Sequence, residues 1–224
     1  MLTRSGLQRS MAQVLSMVVT LQRFLLVLAA LAFAAPSAAA QAPPVPAGAT
    51  RIVSTDRVGT RLAICAEIGG EPIQQGARRV SPTAVWVGEG PATRRLSAAP
   101  GACDPAWSPD GQRLAVTALD GLWIFAGDST AGVRRVEATP PAGAGRTPKS
   151  EFDYRSFSRP RWSSDGRLIA LLVGNGGTSW VEVFDASNGK LVYTSPPETY
   201  SFSWGSKSRS LTVGDTTIDL PDRR

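Results

Sequence analysis

The chain has no histidine among its 224 residues. That absence removes Ser-His-Asp and Cys-His catalysis, histidine-ligated zinc and the commonest general base near neutral pH. No segment after residue 50 has the 3.6-residue apolar period of an amphipathic helix, so the chain reads as all-β. The arginines are scattered, and no long basic run suggests a nucleic-acid groove. Acidic residues are missing from the first forty positions, where Arg4, Arg9 and Arg23 are the only charges.

Those forty residues read as an address. The apolar run "FLLVLAALAFA" (24–34) is followed by "PSAAAQA". A basic flank, a short apolar core and a small-residue site make a secretory signal peptide, with cleavage after Ala40. Eleven residues at about 1.5 Å each reach ~17 Å, short of a ~30 Å hydrocarbon core. An uncleaved anchor extended back through "VLSMVVTLQ" is the alternative, and Arg23 interrupts it. Without Arg4, Arg9 and Arg23 the net charge falls from +6 to +3. A Pro-rich linker (41–50) leads into one domain (51–224) in a periplasmic or secreted setting. There, an even pair of cysteines favours one disulfide, Cys65 to Cys103. A buried free thiol at Cys65, inside "RLAICAE", with Cys103 exposed, is the other possibility.

The domain repeats itself. "WSPDGQRLAVTA" (107–118) lies over "WSSDGRLIALLV" (162–173) and "WGSKSRSLTVG" (204–214), with a weaker copy at "VSTDRVGTRLAICA" (53–66). The starts near 53, 107, 162 and 204 are separated by 54, 55 and 42 residues. Each copy carries a strand after its turn and a further strand beyond, such as "AVWVGEG" (84–90) or "GLWIFAGD" (121–128). Asp110-Gly111 and Asp165-Gly166 supply turn chemistry: a side chain that bonds its own backbone, then a residue tolerant of φ > 0. Asn175-Gly176 and Asn188-Gly189 are hairpin signals. Four-stranded sheets recurring at about 40–50 residues predict a β-propeller, here a small or incomplete one of about four antiparallel blades. The last blade stops after its third strand, at Leu220. The prolines of "QAPPVPAG" cannot donate to a ladder, which predicts an open blade edge that a partner or a second copy covers.

"WSPDGQRLAV" and "WSSDGRLIAL", with "VFDASNGKLV" closing a blade, resemble the WD-like repeats of the TolB-type propeller family. The resemblance covers most of 51–224 and is sharpest in blades two and three. Blade one lacks the tryptophan, and blade four has Lys207-Ser208 in place of Asp-Gly. The family implies a periplasmic interaction module associated with outer-membrane lipoprotein and envelope integrity. Its separate N-terminal domain has no counterpart here, so the implication is limited to an interaction module whose partner is an envelope protein or lipoprotein.

The residues themselves point the same way. Asp110, Asp165 and Asp185 read as turn residues. "GNGG" (174–177) precedes a strand, so it lacks the helix N-terminus of a phosphate cradle. No cofactor or metal site emerges. The irregular stretch 139–161 sets Arg146, Lys149, Arg155, Arg159 and Arg161 beside Phe152, Tyr154 and Phe157. Aromatics interleaved with arginine are enriched in contact surfaces, which makes Tyr154, Arg155, Arg159 and Arg161 candidate partner-binding residues. Equally, the stretch reads as the last strand of blade two, its aromatics packed and its arginines solvated. The expectation is an exported, non-catalytic interaction module that binds no nucleic acid. A binder or processor of small ligands or polysaccharide, using the central channel, is the second reading; lyases with related repeats depend on metal-binding histidines that are absent.

Overall fold

The computed structural model describes residues 43–75, 78–89, 92–96, 101–127, 129–137, 155–175 and 178–221. Among them every helix or strand is a strand. Blade one consists of β1 (Ala49–Val58), β2 (Arg61–Ile68), β5 (Thr83–Glu89) and β6 (Ala92–Arg95), paired in that order. Its insertion forms a separate hairpin, β3 (Ile73–Gln75) with β4 (Arg78–Val80). Blade two is β7 (Cys103–Trp107), β8 (Arg113–Ala118), β9 (Gly121–Ala126) and β10 (Gly132–Glu137). Blade three is β11 (Ser156–Trp162), β12 (Leu168–Gly174), β13 (Ser179–Asp185) and β14 (Leu191–Thr194). Blade four has three strands, β15 (Phe202–Trp204), β16 (Ser210–Val213) and β17 (Thr216–Asp219). Each sheet is an antiparallel meander, so the chain is an all-β array of propeller blades.

The repeat and the sheet are out of phase. Each tryptophan that opens a sequence repeat is the last residue of its blade's first strand. The sheets themselves therefore begin a few residues earlier, at Ala49, Cys103, Ser156 and Phe202. One expectation is corrected by this offset. Residues 156–162 are the first strand of blade three, and blade two finishes with β10, because Ser156–Trp162 pairs with β12 of its own repeat.

The second and third strands of blades two and three lie between neighbouring sheets, which is why they are apolar on both faces. Ala63, Cys65, Val85 and Val87 of blade one meet Trp107, Leu114, Val116 and Phe125 of blade two. On the opposite side of blade two, Ala115, Leu122 and Ile124 meet Trp162, Ile169, Leu171 and Phe184. Leu168, Ala170, Val181 and Val183 continue the layer to Leu211 and Val213. Each fully buried Leu, Ile, Val or Phe stabilises by roughly 1.5–3 kcal/mol. These three layers, rather than the ladders within one sheet, join the blades.

A polar register runs alongside the layers. The indole N–H of Trp162 donates to the Ala106 carbonyl at 2.8 Å, and that of Trp204 to the Arg161 carbonyl at 3.0 Å. Each acceptor immediately precedes the tryptophan of the preceding blade. Arg113 stacks over the Trp162 ring, 4.7 Å from its centroid, and donates to the Gly166 carbonyl at 2.6 Å. Arg61 repeats both contacts on Trp107 and the Gly111 carbonyl. The Asp-Gly turns are built for this docking. The Ser108 hydroxyl donates to Asp110, which also accepts the Gln112 amide, while Gly111 sits at φ +67°. Ser163, Asp165, Arg167 and Gly166 reproduce the arrangement. Asp185 likewise closes its own turn by accepting the Ser187 amide at 2.8 Å.

The two ends of the array depart from the pattern. Strand register aligns Arg57, opposite Leu62, with Trp107 and Trp162, opposite Leu114 and Ile169. An exposed arginine thus stands where the other blades carry the docking tryptophan. At the other end, Thr212 and Thr217 occupy the positions of Ala115 and Ile124. Their hydroxyls bond each other at 3.0 Å. Blade four therefore turns a polar face away from blade three. Among the described residues no strand of blade four packs substantially on blade one, so the described blades form an open arc.

Cys65 of β2 and Cys103 of β7 are joined by a disulfide across the first interface. Closing a loop of 38 residues contributes about 4 kcal/mol on the chain-entropy account, less any strain. Denatured, unreduced protein should expose no free thiol to alkylation, and reduction should lower its melting temperature. Full alkylation without reductant would mean that the bridge does not form.

Replacing Trp162, which is buried and hydrogen-bonded across an interface, by Ala should cost about 3–5 kcal/mol. Unchanged urea midpoints would show that the indole does not hold the blades together. The turns predict an acid sensitivity. Asp110 is held below the ordinary carboxylate range, first by the Ser108 hydroxyl and then by the Gln112 amide. For Asp165 burial acts upward, but the Ser163 hydroxyl, the Arg167 amide and nearby arginines outweigh it and leave it lowered. A depressed folded pKa gives stability that is present above the unfolded value of about 4 and lost as pH falls through the folded one. The double variant Asp110→Asn, Asp165→Asn should be less stable at neutral pH and should lose less on acidification below about pH 4. Parallel melting-temperature profiles for variant and parent would count against this account.

Candidate functional site

Of the four contact residues read from the sequence, Tyr154 lies outside the described residues. The other three are on or beside β11, but their surroundings differ. Arg155, just before the strand, forms an ion pair with Glu182 of β13 and stacks over Phe157, 5.4 Å from the ring centroid. The Glu182 side chain is only 7% exposed, and its other oxygen accepts the Trp180 indole N–H at 2.8 Å. Arg155 is thus the counter-charge of a buried carboxylate and is structurally committed.

Arg159 and Arg161 are exposed and make no ion pair among the described residues. A β-bulge between Ser158 and Arg161 sets their direction. Before it the buried residue is odd-numbered, Phe157; after it the buried residues are even-numbered, Pro160 and Trp162. One inserted residue moves the side-chain alternation to the other face. Arg159, at φ +53°, is the inserted residue, and Asp104 of β7 takes the same position in blade two at φ +47°. Few non-glycine residues adopt this left-handed region. The two bulges are coupled, because the Arg159 amide donates to the Asp104 carboxylate at 3.2 Å. The first strands lie side by side, β7 against β1 and against β11, and β11 against β15. Arg159 and Arg161 are therefore presented from the innermost strand of blade three.

The sequence carried signals for the parts that were missed. Proline stands two residues before the tryptophan in both "DPAW" and "RPRW", and a proline inside a strand marks an edge or a bulge. Glu182 is a charge inside the apolar strand "WVEVF", which requires a buried partner. Among the described residues no cluster of acidic or cysteine side chains has the arrangement of a metal site.

Replacing Arg155 by Gln leaves the Glu182 carboxylate without its cation and should cost about 1–3 kcal/mol. Arg159→Ser and Arg161→Ser, both at solvent, should each stay within about 0.5 kcal/mol of the parent. Chemical denaturation of the three variants checks the division. Equal losses for all three would mean that the exposed pair also supports the fold.

No protein-family model matches the chain, and no curated protein matches it. Solved structures do. The propeller domain of the Trilobed protease from Pyrococcus furiosus, described as having an open velcro topology, aligns over 74% of this chain and 48% of its own length, with 12% identity and a TM-score of 0.50. The uncomplexed acylaminoacyl peptidase of Pyrococcus horikoshii aligns over 74% of this chain and 28% of its own, with 10% identity and a TM-score of 0.51. TolB from Acinetobacter baumannii aligns over 74% and 41%, with 16% identity and a TM-score of 0.45. The chain spans less than half the length of each of these proteins. At such identities the likeness to the two protease propellers shows the fold: the described blades are those of a β-propeller.

Proposed function

We propose that this chain is an exported, non-catalytic propeller that binds an envelope protein, and that the contact lies on the first strand of blade three. The observation that carries the reading is the exposed pair Arg159 and Arg161, held outward by a bulge whose geometry the adjoining blade enforces through Asp104. Two exposed guanidiniums on a rigid strand select a partner surface rich in carboxylates, because each can take a carboxylate in bidentate fashion. The signal-like leader, the Cys65–Cys103 disulfide and the resemblance of the "WSPDG" and "WSSDG" repeats to TolB-type blades support a periplasmic or secreted setting. The lack of histidine and the use of Asp110, Asp165 and Asp185 in turns support a binding role over a catalytic one.

Crosslinking of the exported protein in cells, with mass spectrometry of its adducts, identifies the partner. The double variant Arg159→Ser, Arg161→Ser should then capture that partner at least tenfold more weakly, with its melting temperature unchanged. Capture by the parent should weaken as salt rises, since exposed charge pairs are screened within about 10 Å at 0.1 M. Undiminished capture by a stable double variant would remove β11 from the contact surface. The exported form should begin at Gln41 by intact mass; an unprocessed chain in the membrane fraction would exclude the periplasmic reading.

A further inference from the structure

A cavity of about 380 Å³ opens between blades one and two. It lies at the end of the interface where β2 begins and β5 ends. Its apolar wall is Val87 and the Trp107 ring; its polar lining is Arg61, Arg94 and Glu89, with Gly127 opposite. Arg61 is engaged with the Gly111 carbonyl and lies 3.7 Å from the Glu89 carboxylate. Arg94 is exposed, and its one side-chain hydrogen bond among the described residues is a 3.4 Å bond to the Gly127 carbonyl. Among the described lining residues two guanidiniums outnumber the single carboxylate, so their net charge is positive.

The repeat supplies an internal control for this lining. Strand register matches Val87, Glu89 and Arg94 of blade one with Ile124, Ala126 and Val133 of blade two. The interface between blades two and three therefore has apolar side chains where the first interface has an acid and a base. Nothing in the packing of blades demands the charges. The first interface is also unfinished in its hydrogen bonding. Trp162 and Trp204 give their indole N–H groups to the preceding blade, whereas Trp107 Nε1 is buried with no partner among the described residues. The backbone amide of Trp107 is held instead by the Asp56 carboxylate at 2.6 Å. An extra bond of this kind fixes the strand while the indole keeps no acceptor.

We infer that this cavity binds a small carboxylate-bearing ligand of amino-acid to dipeptide size. The guanidinium of Arg94 takes the carboxylate, Arg61 supports it electrostatically, and the Val87–Trp107 wall covers the apolar part. The volume lies within the ~300–1,000 Å³ of small-ligand pockets, and a planar guanidinium suits a carboxylate better than a point charge would. The site shares no residue with Arg159 and Arg161, so it stands or falls independently of the envelope-partner reading.

The test uses mature, oxidised protein uniformly labelled with ¹⁵N. The Trp107→Phe variant identifies the Trp107 indole resonance by its disappearance. N-acetyl-glutamate is titrated in, with N-acetyl-glutamine amide as the uncharged control and sodium chloride matched for ionic strength. The expected result is a saturable shift of the Trp107 resonance with the carboxylate alone. It should be weakened about tenfold or more in Arg94→Gln, as loss of a charge-assisted bidentate bond implies. Arg94→Lys should recover only part of the affinity. Arg94 is exposed and weakly bonded, so its variants should melt with the parent; Arg61, which clamps a turn, is left intact for that reason. A shift produced equally by chloride or by the amide would overturn the proposal. So would a non-saturable response, or an Arg94→Gln protein that binds as the parent does.

Discussion

The contact on which the array depends is the docking of one tryptophan per blade onto the blade before it. Sheets that are apolar on both faces stack without directional preference, since burial of apolar area does not fix a rotation or a slide. The indole bonds from Trp162 to Ala106 and from Trp204 to Arg161 supply that direction. Each bond ties the end of one first strand to the same point on the next, so successive blades repeat a single offset. The arginine clamp on the following turn, Arg113 to Gly166 and Arg61 to Gly111, fixes the offset from the opposite side. An Asp-Gly turn is needed there for two reasons. The carboxylate closes the loop on its own backbone, and the glycine lets the carbonyl face the arginine with φ positive.

The same rule explains why the array has ends. A tryptophan at the register of Arg57 would have no preceding carbonyl among the described residues to receive its N–H, and a buried unpaired donor is costly. An arginine there remains in water and keeps its hydrogen bonds. Thr212 and Thr217 solve the matching problem on blade four by satisfying each other's hydroxyls on a face that the earlier blades make apolar. The first interface is intermediate. Trp107 packs as its counterparts do, but the bond from its indole is missing, and a disulfide a few residues away secures the strand that carries it. Covalent closure there offsets a weaker polar register.

Much of the fold was legible because it is periodic. The tryptophans that end the first strands fall at matching places in the sheets, as do Trp86 and Trp123 of the third strands, whereas in blade three Glu182 stands at that place and Trp180 two residues before it. The Asp-Gly turns sit where the repeat puts them. What the repeat did not reveal was its phase. The most recognisable residues, Trp-Ser-x-Asp-Gly, surround the turn after the first strand, so they mark a strand's end rather than a blade's beginning. That offset is why one of the two readings of the stretch 139–161 makes it the last strand of blade two. The bulges were hidden for a related reason. A single inserted residue leaves hydrophobic content unchanged and reverses only which residues are buried, and "RPRW" gives no alternation from which to read the reversal. Only the shared proline of "DPAW" and "RPRW" marks it.

The arginines then divide by register rather than by composition. Arg61 and Arg113 open the second strand and clamp the next blade's turn. Arg155 answers the buried Glu182, a cost that only a paired cation removes. Arg159 lies in a bulge and Arg161 follows it, and among the described residues neither side chain has such a task. Composition gave Arg155, Arg159 and Arg161 the same weight, as candidate contact residues or solvated charges, and singled out neither Arg61 nor Arg113. The structure separates them because a guanidinium that completes a neighbour's hydrogen bonding is not free to complete a partner's. The arginines without such an obligation, Arg159 and Arg161 on the inner strand and Arg94 at the first interface, are therefore the positions where recognition can be altered without loosening the stack. Arg61, Arg113 and Arg155 are those where any change of recognition would be confounded with a change of fold.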